Sequence, residues 1–150
     1  VQINHGGMQC SRETVPETIA PSAVDASFLE RPAREMTPDE IALLIQAYGQ
    51  AARRAQEAGF DGVQIHGAHG YLIGQFLSPS VNRRTDEWGG DGERRTRFLR
   101  AVCQAVREQV GPDYPVAIKL GMTDGVEGGL TAAEGAGVVA ALEEMGIEMT

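Results

Sequence analysis

Aromatic residues make up only 5% of this 150-residue sequence, and cysteine occurs twice, at Cys10 and Cys103. The two thiols fall in no metal-binding or redox spacing, so both read as reduced cysteines of a cytoplasmic protein. Basic side chains are in deficit, 13 against 21 acidic, and the net charge of −8 discourages nonspecific binding to nucleic acid or anionic membrane. No apolar run approaches the ~20 residues of a membrane span, and the opening residues do not read as a signal peptide. The chain opens on Val1, without a methionine and inside a strand-like pattern, so the natural amino terminus is expected upstream. Histidine is sparse too, at three residues; with two scattered cysteines this disfavours a closed zinc site, which needs three or four protein ligands. Against these absences stand 42% hydrophobic residues, enough for a core of ordinary domain size.

The chemistry is concentrated in residues 62–90, GVQIHGAHGYLIGQFLSPSVNRRTDEWGG. Val63 and Ile65 alternate with Gln64 and His66 at the two-residue period of a strand, and Gly67 reads as the break that leaves His66 at its carboxyl end. His69 and Tyr71 follow three and five residues later, close enough for two imidazoles and a phenol to converge on one small polar group. Each has a plainer reading: a strand-end histidine caps a carbonyl, and a tyrosine before Leu72 and Ile73 joins the core. Three such residues together favour a site.

The flanking chain supplies the frame. Residues 1–4 read as a short strand with Val1 and Ile3 on one face and Gln2 and Asn4 on the other. From Met8 to Met36 neither helical nor strand period is visible, and a long surface excursion is expected, of the kind that is usually functional or disordered. Thr37, Pro38 and Glu40 then form a capping box with proline at the first helical position. Ile41, Leu44, Ile45, Tyr48, Ala52 and Ala55 give the helix an apolar face, and Gly59 is placed to end it left-handed. A strand over residues 60–66 follows. Leu72, Ile73, Phe76 and Leu77 predict a short apolar turn of helix, ending at Ser78 and Pro79, that could wall a pocket. Arg83, Arg84, Arg94, Arg95 and Arg97 alternate with Asp86, Glu87, Asp91 and Glu93, which points to structural ion pairing rather than a nucleic-acid patch. A second helix from Glu93 buries Leu99, Cys103, Val106 and Val110 and ends at Gly111.

Residues 115–120 form a third strand, PVAIKL, in which Lys119 is anomalous. A lysine inside an apolar strand is costly unless its ammonium meets an anion or polar ligand, or snorkels from the strand end. By period two it shares a face with Ala117 and Gly121, opposite Val116, Ile118 and Leu120. Thr131 and Glu134 repeat the capping box ahead of a helix carrying Val138, Val139, Leu142 and Met145, which Gly146 closes. Residues 147–149 begin a fourth strand. Strands alternating with helices ask for a parallel sheet. A doubly wound nucleotide-binding sheet would place a glycine-rich turn and helix directly after the first strand, where this chain has its long excursion. The alternative is a (β/α)8 TIM barrel, with Gln2, His66 and Lys119 in or at the ends of three strands. Barrels run to ~250 residues, so four strands make a partial barrel and the chain a single fragment truncated at both ends.

In combination these motifs resemble one family. H-x-x-H-G-Y-L at 66–72, F-L-S-P at 76–79, N-x-R-x-D-x-W-G-G at 82–90 and E-x-R-x-R-F at 93–98 are similar to the central stretch of the Old Yellow Enzyme family of FMN-dependent NAD(P)H oxidoreductases, which are TIM barrels. QINHGG at 2–7 and VAIKLGMTDGVEGG at 116–129 resemble that family's third and fifth barrel strands, so the chain corresponds to approximately strands three to six. The resemblance implies that His66 and His69 hydrogen-bond the substrate's carbonyl or other electron-withdrawing oxygen; some members carry asparagine at the second position. It implies that Tyr71 gives a proton to the α-carbon after flavin N5 has given hydride to the β-carbon. Gln2 is matched to a glutamine on the flavin's pyrimidine edge, and Lys119 to a basic residue near flavin N1 and O2.

The expected parent is therefore an ene-reductase in which NAD(P)H reduces FMN and the flavin reduces an activated C=C bond of an electron-poor small molecule. Rival expectations are a dienoyl-CoA reductase-like or amine-demethylating member of the family, or a noncatalytic truncated product. Where the family often has serine after its glycine pair this chain has Asp91, so the cap there is expected to differ. The FMN phosphate in such barrels sits after strands seven and eight, outside this sequence, so the chain alone is not expected to bind FMN tightly or turn over. Any iron–sulfur domain would lie beyond Thr150. A homo-oligomeric parent is compatible with all of this.

Overall fold

The structure, a computed structural model, describes residues 1–149. Four parallel strands form the main sheet in the order β1 (Gln2–Ile3), β4 (Val63–Gly67), β5 (Val116–Leu120) and β6 (Glu148–Met149). The intervening helices are α1 (Pro38–Glu57), α2 (Leu72–Leu77), α3 (Gly92–Val110) and α4 (Ala132–Glu143). Sheet neighbours are thus successive in the chain and joined through helices, which is single winding rather than the reversing order of a doubly wound sheet.

Register decides the two faces. Ile3, Ile65 and Ile118 lie side by side across β1, β4 and β5, and with Val63 and Val116 they meet all four helices in one core. Phe76 of α2 and Phe98 of α3 stack within it at 4.1 Å between ring centroids. The other face carries Gln2, Gln64 and Ala117 in register, then His66 opposite Lys119. The buried residues of the four helices cluster with the opposite, isoleucine-bearing face.

The helices start where local chemistry says they should. Both capping boxes form: the Thr37 side chain accepts the Glu40 N–H while the Glu40 carboxylate accepts the Thr37 N–H, and Thr131 and Glu134 repeat the exchange. Asp91 caps α3 by accepting the Arg94 N–H at 2.9 Å, so aspartate here does the work of a capping serine. Gly59, Gly111 and Gly146, all at positive φ, follow the ends of α1, α3 and α4. Gly49 lets α1 and α3 approach, because a Cβ there would lie 2.7 Å from the Ala105 carbonyl oxygen.

Three expectations are corrected. Gly67 does not break the strand: it pairs with Leu120, and its missing Cβ leaves room for Ile118 and Ile73. The strand also begins at Val63 rather than residue 60. The excursion over 8–36 is not featureless. It contains a 3-10 turn (Gly7–Gln9), a small parallel pair of β2 (Ile19–Ala20) and β3 (Arg34–Glu35), and a second core of Met8, Ala20 and Ala33. Two-residue strands show no period, which is why the pattern hid them.

The arginine-rich loop is paired, as its mixed charges suggested, but two of its arginines are buried and reach outward to partly exposed carboxylates. Arg84 is buried, donating to the Pro21 and Met36 carbonyls at 2.8 and 2.7 Å and pairing with Asp86, so it ties the excursion to the central loop. Buried Arg95 donates to the Leu77 and Gly90 carbonyls and pairs with Glu134 of α4. Arg94 pairs with Asp91 and Arg97 with Glu87, whereas Arg83 reaches the Ala23 carbonyl.

Candidate active site

The site is assembled at the carboxyl end of β4. Strand pleating points Gln64 and His66 to the face opposite Val63 and Ile65, and parallel register sets Lys119 of β5 against His66. Gln2 joins the same face from β1, its Nε2 donating to Gln64 Oε1 at 2.6 Å. His66 is 4% exposed, and its Nδ1 is buried with no hydrogen-bond partner among the described residues. Leaving such an atom unsatisfied costs about 1–3 kcal/mol, so a buried orphan is a mark of a site that expects a ligand or water. Burial, followed by the nearby charges of His69 and Lys119, holds the His66 imidazole below the ordinary histidine range. At neutral pH it is uncharged, with one nitrogen donating and the other accepting.

After Ala68 the backbone turns left-handed for two residues, His69 at φ 59° and Gly70 at φ 68°. Histidine is one of the few non-glycine types found there with any frequency, at a cost of roughly 1–2 kcal/mol. The turn swings the His69 ring back over the strand end. His66 and His69 lie 5.0 Å apart between centroids, His66 and Tyr71 5.2 Å, and His69 and Tyr71 6.5 Å. The three rings therefore do converge. His66 is buried, Tyr71 half-buried and His69 exposed, a gradient from the sheet to an open mouth. Lys119, half-buried, has no ion-pair partner among the described residues and is the only lysine in the sequence.

Two voids lie against the turn that follows β4, and His69 lines the first of them. One of about 310 Å³ is lined by Gly67, His69, Gly121, Thr123 and Asp124. The second, about 350 Å³, is lined by Met8, Phe28, Gly70, Gln75 and Val126. Helix α2 does wall this second space, but through Gly74 and Gln75; Leu72, Ile73 and Phe76 are fully buried in the core. Among the described residues no group of three or more His, Cys, Asp or Glu could hold a metal ion.

Sequence reasoning missed Gln9, Gln64 and Gln75. Gln64 could have been found, since it shares the two-residue period with His66. Gln9 and Gln75 carry no local signal, because their partners lie about sixty residues away or in the opposite turn.

The profile of the NADH:flavin oxidoreductase / NADH oxidase family matches residues 1–150. An NADH oxidase of Thermoanaerobacter brockii is 45% identical over 155 residues, covering 99% of this chain and 23% of that protein. A 2-naphthoyl-CoA reductase structure superposes with a TM-score of 0.90 at 37% identity, over 98% of this chain and 24% of the other. An old yellow enzyme homologue from Zymomonas mobilis superposes at 0.83 with 34% identity, over 99% and 46%. The chain thus spans less than half the length of each of these proteins. With the profile covering it from end to end, the chain belongs to the NADH:flavin oxidoreductase / NADH oxidase family.

Proposed function

We propose that this chain supplies approximately strands three to six of an FMN-binding (β/α)8 barrel, and that the whole protein is an NAD(P)H-dependent reductase of activated C=C bonds. The observation that carries this reading is the meeting of the His66, His69 and Tyr71 rings at one strand's carboxyl end, on the sheet face that also bears Gln2 and Lys119. Parallel sheets are ordinarily covered on both faces, and a barrel covers the inner one by closing upon itself.

The groups on that face fit an isoalloxazine. Gln2 and Gln64 offer amide donors and acceptors suited to its pyrimidine edge, and Lys119 offers an uncommitted cation for the negative charge of the reduced ring. FMN held against Gln2, Gln64 and Lys119 would supply the two-electron hydride chemistry between NAD(P)H and the substrate's β-carbon. The chain's own side chains do the rest. His66 and His69 direct N–H donors at the carbonyl oxygen, where they stabilise the enolate-like charge that grows during addition. A neutral imidazole suits this task, because it donates without protonating the oxygen. Tyr71, beside both, gives its hydroxyl proton to the α-carbon. His66 lies at the buried inner end of the site, and exposed His69 at the outer end by which substrate would enter.

The likeness to 2-naphthoyl-CoA reductase favours a second reading, in which the activated alkene is an acyl-CoA thioester. Purified full-length protein assayed with cyclohexenone and with an enoyl-CoA separates the two: turnover of the enone alone supports the first, turnover of the thioester alone the second. Activity on neither would remove both.

A further inference from the structure

His69 meets His66 with its own backbone left-handed, and the side chains that bind this turn lie outside the ring cluster. Gln9, in the 3-10 turn after β1, donates from Nε2 to the His69 carbonyl at 3.2 Å and to the Gly70 carbonyl at 2.6 Å. Gln75, buried in α2, donates from Nε2 to the same Gly70 carbonyl at 2.7 Å and to the Gly6 carbonyl at 3.1 Å. Its Oε1 accepts the Met8 N–H at 3.2 Å. The clamp therefore has two tiers. Gln75 grips the left-handed turn directly, and through Gly6 and Met8 it also fixes the 3-10 turn that carries Gln9. Gly7, at φ 59°, completes the fit, because a Cβ there would collide with the Gln75 amide.

The chemistry of the two positions is narrow. Gln75 must donate to two carbonyls and accept from one N–H at once, which a primary amide does and neither a carboxylate nor an apolar chain of equal length can. From this network we infer that Gln9 and Gln75 are positioning residues that set the His69 imidazole for the substrate oxygen. The inference rests on the proposed role of the His66 and His69 pair. It adds that the loop after the first strand tunes the second histidine through the backbone, without touching substrate.

The test uses the full-length, FMN-loaded protein titrated with 4-hydroxybenzaldehyde, whose phenolate is followed by its long-wavelength charge-transfer absorption with the flavin. Gln75 is buried and its replacement risks the fold, so Gln9→Met, on an exposed side chain, carries the weight. The expected result is a roughly three- to tenfold loss of phenolate affinity in Gln9→Met, with FMN content and Tm unchanged, and a larger loss in Gln75→Met. In a His69→Ala background, Gln9→Met should cause no further loss, because the clamp acts through that ring. If His69→Ala weakens binding but Gln9→Met does not, or if their losses add, the positioning role is overturned and the histidine pair stands. If His69→Ala itself leaves affinity unchanged, the pair reading falls and the positioning role with it.

Discussion

His69 binds two constraints into one residue, a ring that must face His66 and a backbone at φ 59°. Only residue types that tolerate the left-handed region can serve, and histidine and asparagine are both among them. Replacing His69 by asparagine should leave the stability of the full-length protein unchanged, whereas His69→Val should lower it by about 1–2 kcal/mol, measured by urea unfolding. The spacing of His66, His69 and Tyr71 made their convergence legible from sequence. The left-handed turn was not, since Gln9 reaches it from sixty residues upstream and Gln75 from the following helix. Lys119 was legible as an apolar-strand anomaly, and its lone status among thirteen basic residues sharpens that signal.

Protonation belongs to this scale as well. Burial lowers the pKa of His66 and of His5, so the unfolded chain binds more protons than the folded one just below the ordinary histidine value. Their contribution to stability is fully present above about pH 6.5 and is lost as pH falls through the depressed folded values. Denaturant titrations of the full-length protein between pH 7 and 5 should show that decline, and His66→Gln should flatten part of it. An unchanged pH slope in that variant would contradict the assignment.

At the scale of elements, the amino terminus of α1 joins a capping box to an ion pair. The Arg34 side chain, then the Thr37 N–H, hold the Glu40 carboxyl down to about 2. Its stabilising contribution is complete above the unfolded carboxylate value and disappears as pH falls towards 2. Glu40→Gln keeps an oxygen for the Thr37 N–H but removes the charge that pairs with Arg34, so it should cost a little stability at pH 7 and progressively less as the pH is lowered. Gly49 makes the opposite point, that helix propensity yields to packing. Although alanine is the better helix former, Gly49→Ala should destabilise by about 1–3 kcal/mol because its methyl meets the Ala105 carbonyl. The long helices were legible because caps and stripes are local. The pair β2 and β3 was not, nor was the interior role of Arg84, whose carbonyl partners at Pro21 and Met36 come from the far excursion.

At the scale of the molecule, a parallel sheet with helices on one face and glutamine, histidine and lysine on the other is half of an arrangement. The order of strands and helices was legible, and so was single winding, because the long excursion displaces any phosphate-binding turn after the first strand. The reading of this face as a flavin-facing wall predicts that Lys119→Met in the full-length protein impairs FMN reduction or retention more than it lowers Tm, as read by flavin absorbance and thermal unfolding. Normal flavin chemistry in that variant would return Lys119 to a snorkelling strand-end residue.

The most direct measurement is anaerobic stopped-flow reoxidation of the NAD(P)H-reduced, full-length flavoprotein by cyclohexenone, comparing the natural protein with its His66→Ala/His69→Ala variant at equal FMN content. Rapid reoxidation in the former and a slowing of at least about 100-fold in the latter is the predicted result. Equal rates, or a reduced flavin that the enone leaves untouched in both, would contradict it.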